Sequence, residues 1–153
     1  LVETSWGATA TLRVGETVDG WVDIQNVGLE PWGAGTRLAT LPRDAQSPHA
    51  TDAWISEDRV SEPDSDTSIG STARFPLQLR GLEVGTTTLS LTLVEEFVTW
   101  FEDLPMGGGP SDGDIELTVE VVPADVPGDD DDATDDDDAT DDDALRAYYY
   151  NLV

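Results

Sequence analysis

The chain has no cysteine and no lysine, one histidine and one methionine. Without cysteine there can be no disulfide, no zinc–thiolate site and no thiol nucleophile. Every cation is an arginine, which reads as a compositional bias of the coding sequence. No apolar stretch approaches the roughly 18 residues that a membrane-spanning helix needs, so no insertion into a bilayer is expected. Positive charge is scarce: seven arginines stand against 33 acidic residues. Of those acids, 11 lie between Asp129 and Asp143, which leaves 22 against six arginines in residues 1–128, a net charge of −16 (22 minus 6). Such a field repels phosphate backbones and anionic lipid surfaces. It contains no basic stripe, so neither nucleic acid nor a membrane surface is expected as a partner.

The same run of charge marks where a folded domain has to stop. From Asp129 to Asp143 only Asp, Ala and Thr occur, in repeats of the form DDDDAT, and no packed core can form from them. The expected organisation is therefore a domain over 1–124, a disordered Asp-rich linker over 125–143 and an unassigned tail over 144–153. That tail, which contains Tyr148, Tyr149 and Tyr150, is too short for a domain or a membrane anchor. The chain starts at Leu1 and runs straight into a strand, as a mature or excised fragment would after removal of a leader.

Strict alternation of apolar and polar residues marks a strand with one buried face, because successive side chains point to opposite sides of a sheet. Ala8, Ala10, Leu12 and Val14 alternate in this way, as do Val18, Val22 and Ile24 against Asp19, Trp21 and Asp23. Phe75, Leu77 and Leu79 alternate with Arg74, Pro76 and Gln78; Leu89, Leu91 and Leu93 with Ser90 and Thr92; and Ile115, Leu117, Val119 and Val121 with Glu116, Thr118 and Glu120. No helical period competes. Turn signals fall between the runs, at Gly15, Asn26 to Gly28, Gly33 to Gly35, Gly70, Gly85 and Gly107 to Pro110. With short strands near Thr36 to Leu41 and Val98 to Phe101, about seven strands are expected. That is the pattern of an all-β, immunoglobulin-like antiparallel β-sandwich followed by a disordered acidic tail. Pro76 belongs on an edge strand or a bulge. Residues 42–69 are rich in Asp, Ser, Pro and Glu, lack periodicity and read as a surface excursion, where a site is first to be sought.

From Trp21 to Leu38 the spacing is W-x4-N-x-G-x3-W-x2-G-T-x-L, carried by Trp21, Asn26, Gly28, Trp32, Gly35, Thr36 and Leu38. It resembles the four-tryptophan domain, an immunoglobulin-like module of autophagy cargo receptors and bacterial surface proteins. Leu82 to Gly85 and Phe97 to Phe101 share the likeness, which covers residues 5–122. A closer similarity is to modules of secreted Gram-negative proteins, some attached to peptidoglycan amidases or peptidases. It is carried by Thr36 to Leu38, Pro42 to Asp44, Ser47-Pro48, Trp54 with Arg59, and Leu93 to Phe101. DDDDAT tethers look like those that precede a cell-surface sorting signal. The family's tryptophan in the strand around Leu91 to Val94 is missing, so its ligand residues are not carried over.

The candidate binding residues are Trp21, Arg37, Arg43, Asp44, Trp54, Arg59 and Trp100. Trp21 points away from Val22 and Ile24, and is expected to be either covered by the long excursion or exposed. Trp54 is either the anchor of that excursion or a platform for a sugar. Trp32 and Trp100 are expected to plug the ends of the sandwich. The three arginines suit bidentate capture of a carboxylate, or else internal ion pairs with Asp44, Asp52 and Asp58. Catalysis has little to work with: His49 would need to be held against Ser47, and the adjacent Glu95 and Glu96 face opposite sides of an extended segment. Two acidic ladders, Glu62/Asp64/Asp66 and Asp112/Asp114/Glu116, lack the EF-hand pattern and read as solvated loop. The expectation is a monomeric, non-catalytic binding or spacer module, extracellular or at a cell surface, with no cofactor or metal. Its partner would be a protein, a peptide or a cell-wall glycan. The alternatives are an accessory domain of a cell-wall hydrolase and a calcium-dependent adhesion module.

Overall fold

The fold is seen in a computed structural model that describes residues 2–125. The linker beyond Asp125 and the tail expected after it lie outside the described residues. The described chain holds nine strands, two more than expected: β1 (Val2–Thr4), β2 (Thr9–Arg13), β3 (Thr17–Gln25), β4 (Thr36–Leu41), β5 (Arg59–Ser61), β6 (Thr72–Arg80), β7 (Gly85–Glu95), β8 (Thr99–Trp100) and β9 (Ile115–Val122). They form a three-stranded sheet in the order β1-β3-β6 and a six-stranded sheet in the order β2-β9-β7-β4-β5, with β8 added to β7. The protein is an all-β sandwich. One correction concerns strand direction: β2 runs parallel to β9, while every other pairing is antiparallel. The chain leaves the small sheet after β1, turns at Gly7 (φ +68°) and joins the other sheet as β2. That crossing covers one side of the sandwich with Trp6, whose ring lies where any Cβ on Gly20 would fall.

The core is assembled from the alternating residues. Val22 and Ile24 of β3 and Ala73, Phe75, Leu77 and Leu79 of β6 face Ala10 and Leu12 of β2, Leu38 of β4, Leu89, Leu91 and Leu93 of β7, and Ile115, Leu117, Val119 and Val121 of β9. Trp32, in the β3–β4 connection, closes one end against Phe75 and Phe101 at centroid separations of 6.4 and 5.6 Å. The turn that leads to it is built by Asn26, which is wholly buried. Its Oδ1 accepts from Gly28 N at 3.0 Å, and its Nδ2 donates to Glu30 O at 2.9 Å. The N-x-G spacing is thus an Asx turn that satisfies buried backbone.

The excursion after β4 is framework as well as surface, contrary to its composition. Its Ala50, Trp54 and Val60 belong to the core cluster, and its β5 pairs with β4. Where it crosses β6 it seals that strand's outer edge. The Trp54 indole N–H donates to Gln78 O at 2.6 Å, Asp64 N to Arg74 O at 2.8 Å, and Arg80 N to His49 O at 3.2 Å. Pro76 has no N–H to satisfy there, as expected for an edge strand. An open edge invites pairing with other chains, so this cover also protects solubility. Trp54→Phe keeps an aromatic ring but loses the pyrrole part of the indole and leaves Gln78 O without its donor; urea unfolding should show a loss of about 1–3 kcal/mol.

Candidate functional site

Five of the seven candidate residues meet on the outer face of the six-stranded sheet. Register brings them there: Arg37, Val94 and Trp100 lie in one row across β4, β7 and β8, and Arg59, Ala39 and Thr92 in the next across β5, β4 and β7. The excursion then brings Arg43 and Asp44 back over this face. The guanidinium carbons of Arg43 and Arg59 sit 4.9 and 5.1 Å from the Trp100 ring centroid, within cation–π range. Trp100 therefore covers the outer face of the large sheet, and the end-plugging role expected of it falls to Trp32 alone. Ala39 and Thr92 point away from the core yet are wholly buried, because this layer lies on them.

Each guanidinium is engaged by carboxylates of the same chain. Arg43 makes a two-pronged pair with Asp103, at 2.9 and 2.8 Å, and its Nε lies 3.3 Å from Asp112. Arg59 donates to Glu96 at 2.6 Å, to Asp44 at 2.8 Å and to Asp58 at 3.1 Å. Arg37 reaches Glu62 at 3.2 Å and shares Glu96 at 3.6 Å. Three cations thus meet six carboxylates, and the cluster carries −3 (3 minus 6). The Arg43 hydrogen bond holds the Asp103 carboxyl below the usual carboxylate range, and Asp103 in turn raises the Arg43 guanidinium. For Arg59, burial works against the charge, but the hydrogen bonds it donates to Asp44 and Glu96, with the charges of Glu96 and Asp58, outweigh it and its pKa is raised.

The remaining two candidates lie elsewhere. Trp21 is half-buried on the outer face of the small sheet, beneath Arg74, whose guanidinium carbon is 4.0 Å from the ring centroid. Arg74 is fixed by a two-pronged bond to Asp23, its cross-strand partner, at 2.8 and 2.7 Å. Trp21 is thus covered by a diagonal neighbour on β6, not by the excursion. Trp54 is buried in the seam along β6 and anchors the excursion. Its sequence proximity to Arg59 does not become a shared site. Asp52 is exposed and makes no ion pair among the described residues.

His49 is buried, with Nδ1 3.0 Å from Arg80 O and Nε2 2.7 Å from the Thr87 hydroxyl. Both ring nitrogens are therefore committed, and Ser47 Oγ only accepts from the His49 backbone at 3.2 Å. The cavity beside this histidine, lined in part by Thr40, Ser47 and Thr87, measures about 120 Å³. The acidic ladders are divided among separate partners: Glu62 with Arg37, Asp112 with Arg43, Asp114 with Ser111 N and Glu116 with the Ser90 hydroxyl. Among the described residues no three His, Asp or Glu side chains converge on a position that could hold a metal ion. No helix there is long and apolar enough to cross a membrane.

Sequence reasoning missed Asp103, and it weighed Glu96 and Asp112 in other roles without connecting them to the arginines. The available signal was the break in alternation at Leu93-Val94, where both faces of β7 are buried. It also missed Phe97, at the β7–β8 turn, which is fully exposed and has φ +64°. A bulky residue in this left-handed region costs about 1–2 kcal/mol. The class defined here is an all-β sandwich in which Arg37, Arg43 and Arg59 are paired with its own carboxylates and Trp100 lies beneath Arg43 and Arg59. The chain matches no protein-family model and no curated protein sequence.

Two predictions follow from the layer. A carboxyl held low in the folded state contributes stability that is present above its unfolded pKa of about 3.9 and is lost as pH falls through the folded value. Stability of the native chain should therefore fall more steeply below about pH 4 than that of Arg43→Met; parallel slopes in denaturant titrations at stepped pH would refute the pairing. Thr92 Oγ1 is buried without a partner. Thr92→Val should therefore raise the unfolding free energy by about 1 kcal/mol, measured in the same titrations.

Proposed function

We propose that this chain is a non-catalytic, immunoglobulin-like module of a secreted or cell-surface protein, serving to space or present a surface for a protein or peptide partner. The observation that carries this reading is the internal commitment of its reactive groups. The histidine has both nitrogens bonded, and Arg37, Arg43 and Arg59 are each paired with carboxylates of the chain. Among the described residues Arg37, Arg43, Arg59, Trp54 and Trp100 form no groove of free arginines and open aromatic faces, which weakens capture of a peptide carboxylate or of a sugar on Trp54 or Trp100. The similarity to modules of secreted Gram-negative proteins supports the extracellular placement, as does the likeness of the DDDDAT run to surface tethers.

The test is to incubate the full chain with purified peptidoglycan and follow both release of soluble fragments and co-sedimentation. The chain is expected to release nothing and to stay in the supernatant. Fragment release would overturn the non-catalytic reading, and sedimentation would move the partner from protein to wall glycan.

A further inference from the structure

The Phe97 turn combines features that the fold itself does not call for. Val98 N donates to Glu95 O at 3.0 Å and closes a turn whose third residue is Phe97, at φ +64°. A type II turn places glycine or asparagine there, because a Cβ is strained in that region. Phe97 is fully exposed and Val98 is 55% exposed, so neither returns much burial to the sandwich. The two residues that lead into the turn are nevertheless anchored. At Glu95 the Thr36 hydroxyl donates to Oε2 at 2.7 Å, against Gly35, where a Cβ would collide with that carboxylate. At Glu96 the backbone N donates to Gly35 O at 2.9 Å, and Oε1 accepts from Arg59 Nε at 2.6 Å. Two glutamates with fixed side chains therefore present an apolar pair to solvent.

We propose that Phe97 and Val98 form the apolar centre of a docking site for a cationic protein or peptide, with an apolar patch that receives the phenyl ring and basic side chains around it. The charge of the surface selects this occupant. The described residues carry 22 carboxylates against six arginines, and five of those arginines are in ion pairs with the chain's own acids. A second copy of the chain, or an anionic bilayer, would bring like charge against like. A basic rim meets complementary charge, which accelerates encounter and disfavours wrong partners. An exposed aromatic ring beside two carboxylates is also a favourable anchor, since nearly all of its apolar surface remains to be buried when it docks. The mounting makes the Arg37/Arg43/Arg59/Trp100 layer a support for the turn through Glu96.

This inference rests on the presenting-module reading, and its test separates the two. Fluorescent dodecapeptides with Leu/Trp centres and Arg/Lys flanks are titrated against the full chain. Controls are peptides with Glu flanks and phosphatidylcholine vesicles. The basic peptides should bind, more weakly as salt rises, and Phe97→Asn should weaken binding at least tenfold while the melting temperature stays equal or rises. Equal binding by Phe97→Asn, equal binding of the Glu-flanked peptides, or no binding of the basic peptides would overturn the site. Uptake by vesicles in place of peptides would overturn it in favour of lipid. None of these outcomes would make the chain a hydrolase, whereas peptidoglycan cleavage would do so whether or not the peptides bind.

Discussion

A three-stranded sheet cannot by itself cover a six-stranded one, and much of the remaining structure answers that mismatch. Apolar faces left open to water cost about 25 cal/mol for every Å² that could have been buried. The chain closes one side of the sandwich with the β1–β2 crossing and Trp6, and the other with the long excursion between β4 and β6. From that excursion Ala50, Trp54 and Val60 enter the core, while β5 extends the larger sheet. Because the excursion is pinned at Gln78 on one sheet and at Glu96 on the other, it also ties the two sheets together without a disulfide.

The arginines follow from the same arrangement. A segment rich in Asp and Glu that folds over a sheet brings carboxylates close together, and only guanidinium groups are available to separate them. Arg59 alone meets Asp44, Asp58 and Glu96, and with Arg43 it lies on Trp100. Planar guanidinium suits this work, since it can bond carboxylates along its edge while its face rests on an aromatic ring. The outcome is a surface whose cations are largely spent on the fold and whose excess charge is negative. That asymmetry bears on the choice of partner more strongly than any single side chain among the paired arginines.

Against this self-satisfied frame, the β7–β8 turn stands apart. Strain in a native backbone persists where surrounding contacts over-determine it. Here Thr36, Gly35 and Arg59 supply those contacts at Glu95 and Glu96, the two residues that precede Phe97. The candidate aromatics flagged in the sequence turned inward or under arginines, while the aromatic left in solvent was one that alternation had no means of marking.

Alternation along the chain was enough to establish an all-β sandwich, the core faces of β2, β3, β6, β7 and β9, and the edge position of Pro76, because the two-residue period of a strand maps directly onto inside and outside. Composition likewise excluded disulfides and a basic binding face. Three things were decided only by tertiary structure: the parallel pairing of β2 with β9, the meeting of Arg37, Arg43, Asp44, Arg59 and Trp100, and the separation of Trp54 and Trp21 from that group. Pairing partners are chosen by long-range packing, which local period does not encode. A residue with no period around it, as throughout the excursion, acquires its neighbours only when the chain folds back on itself.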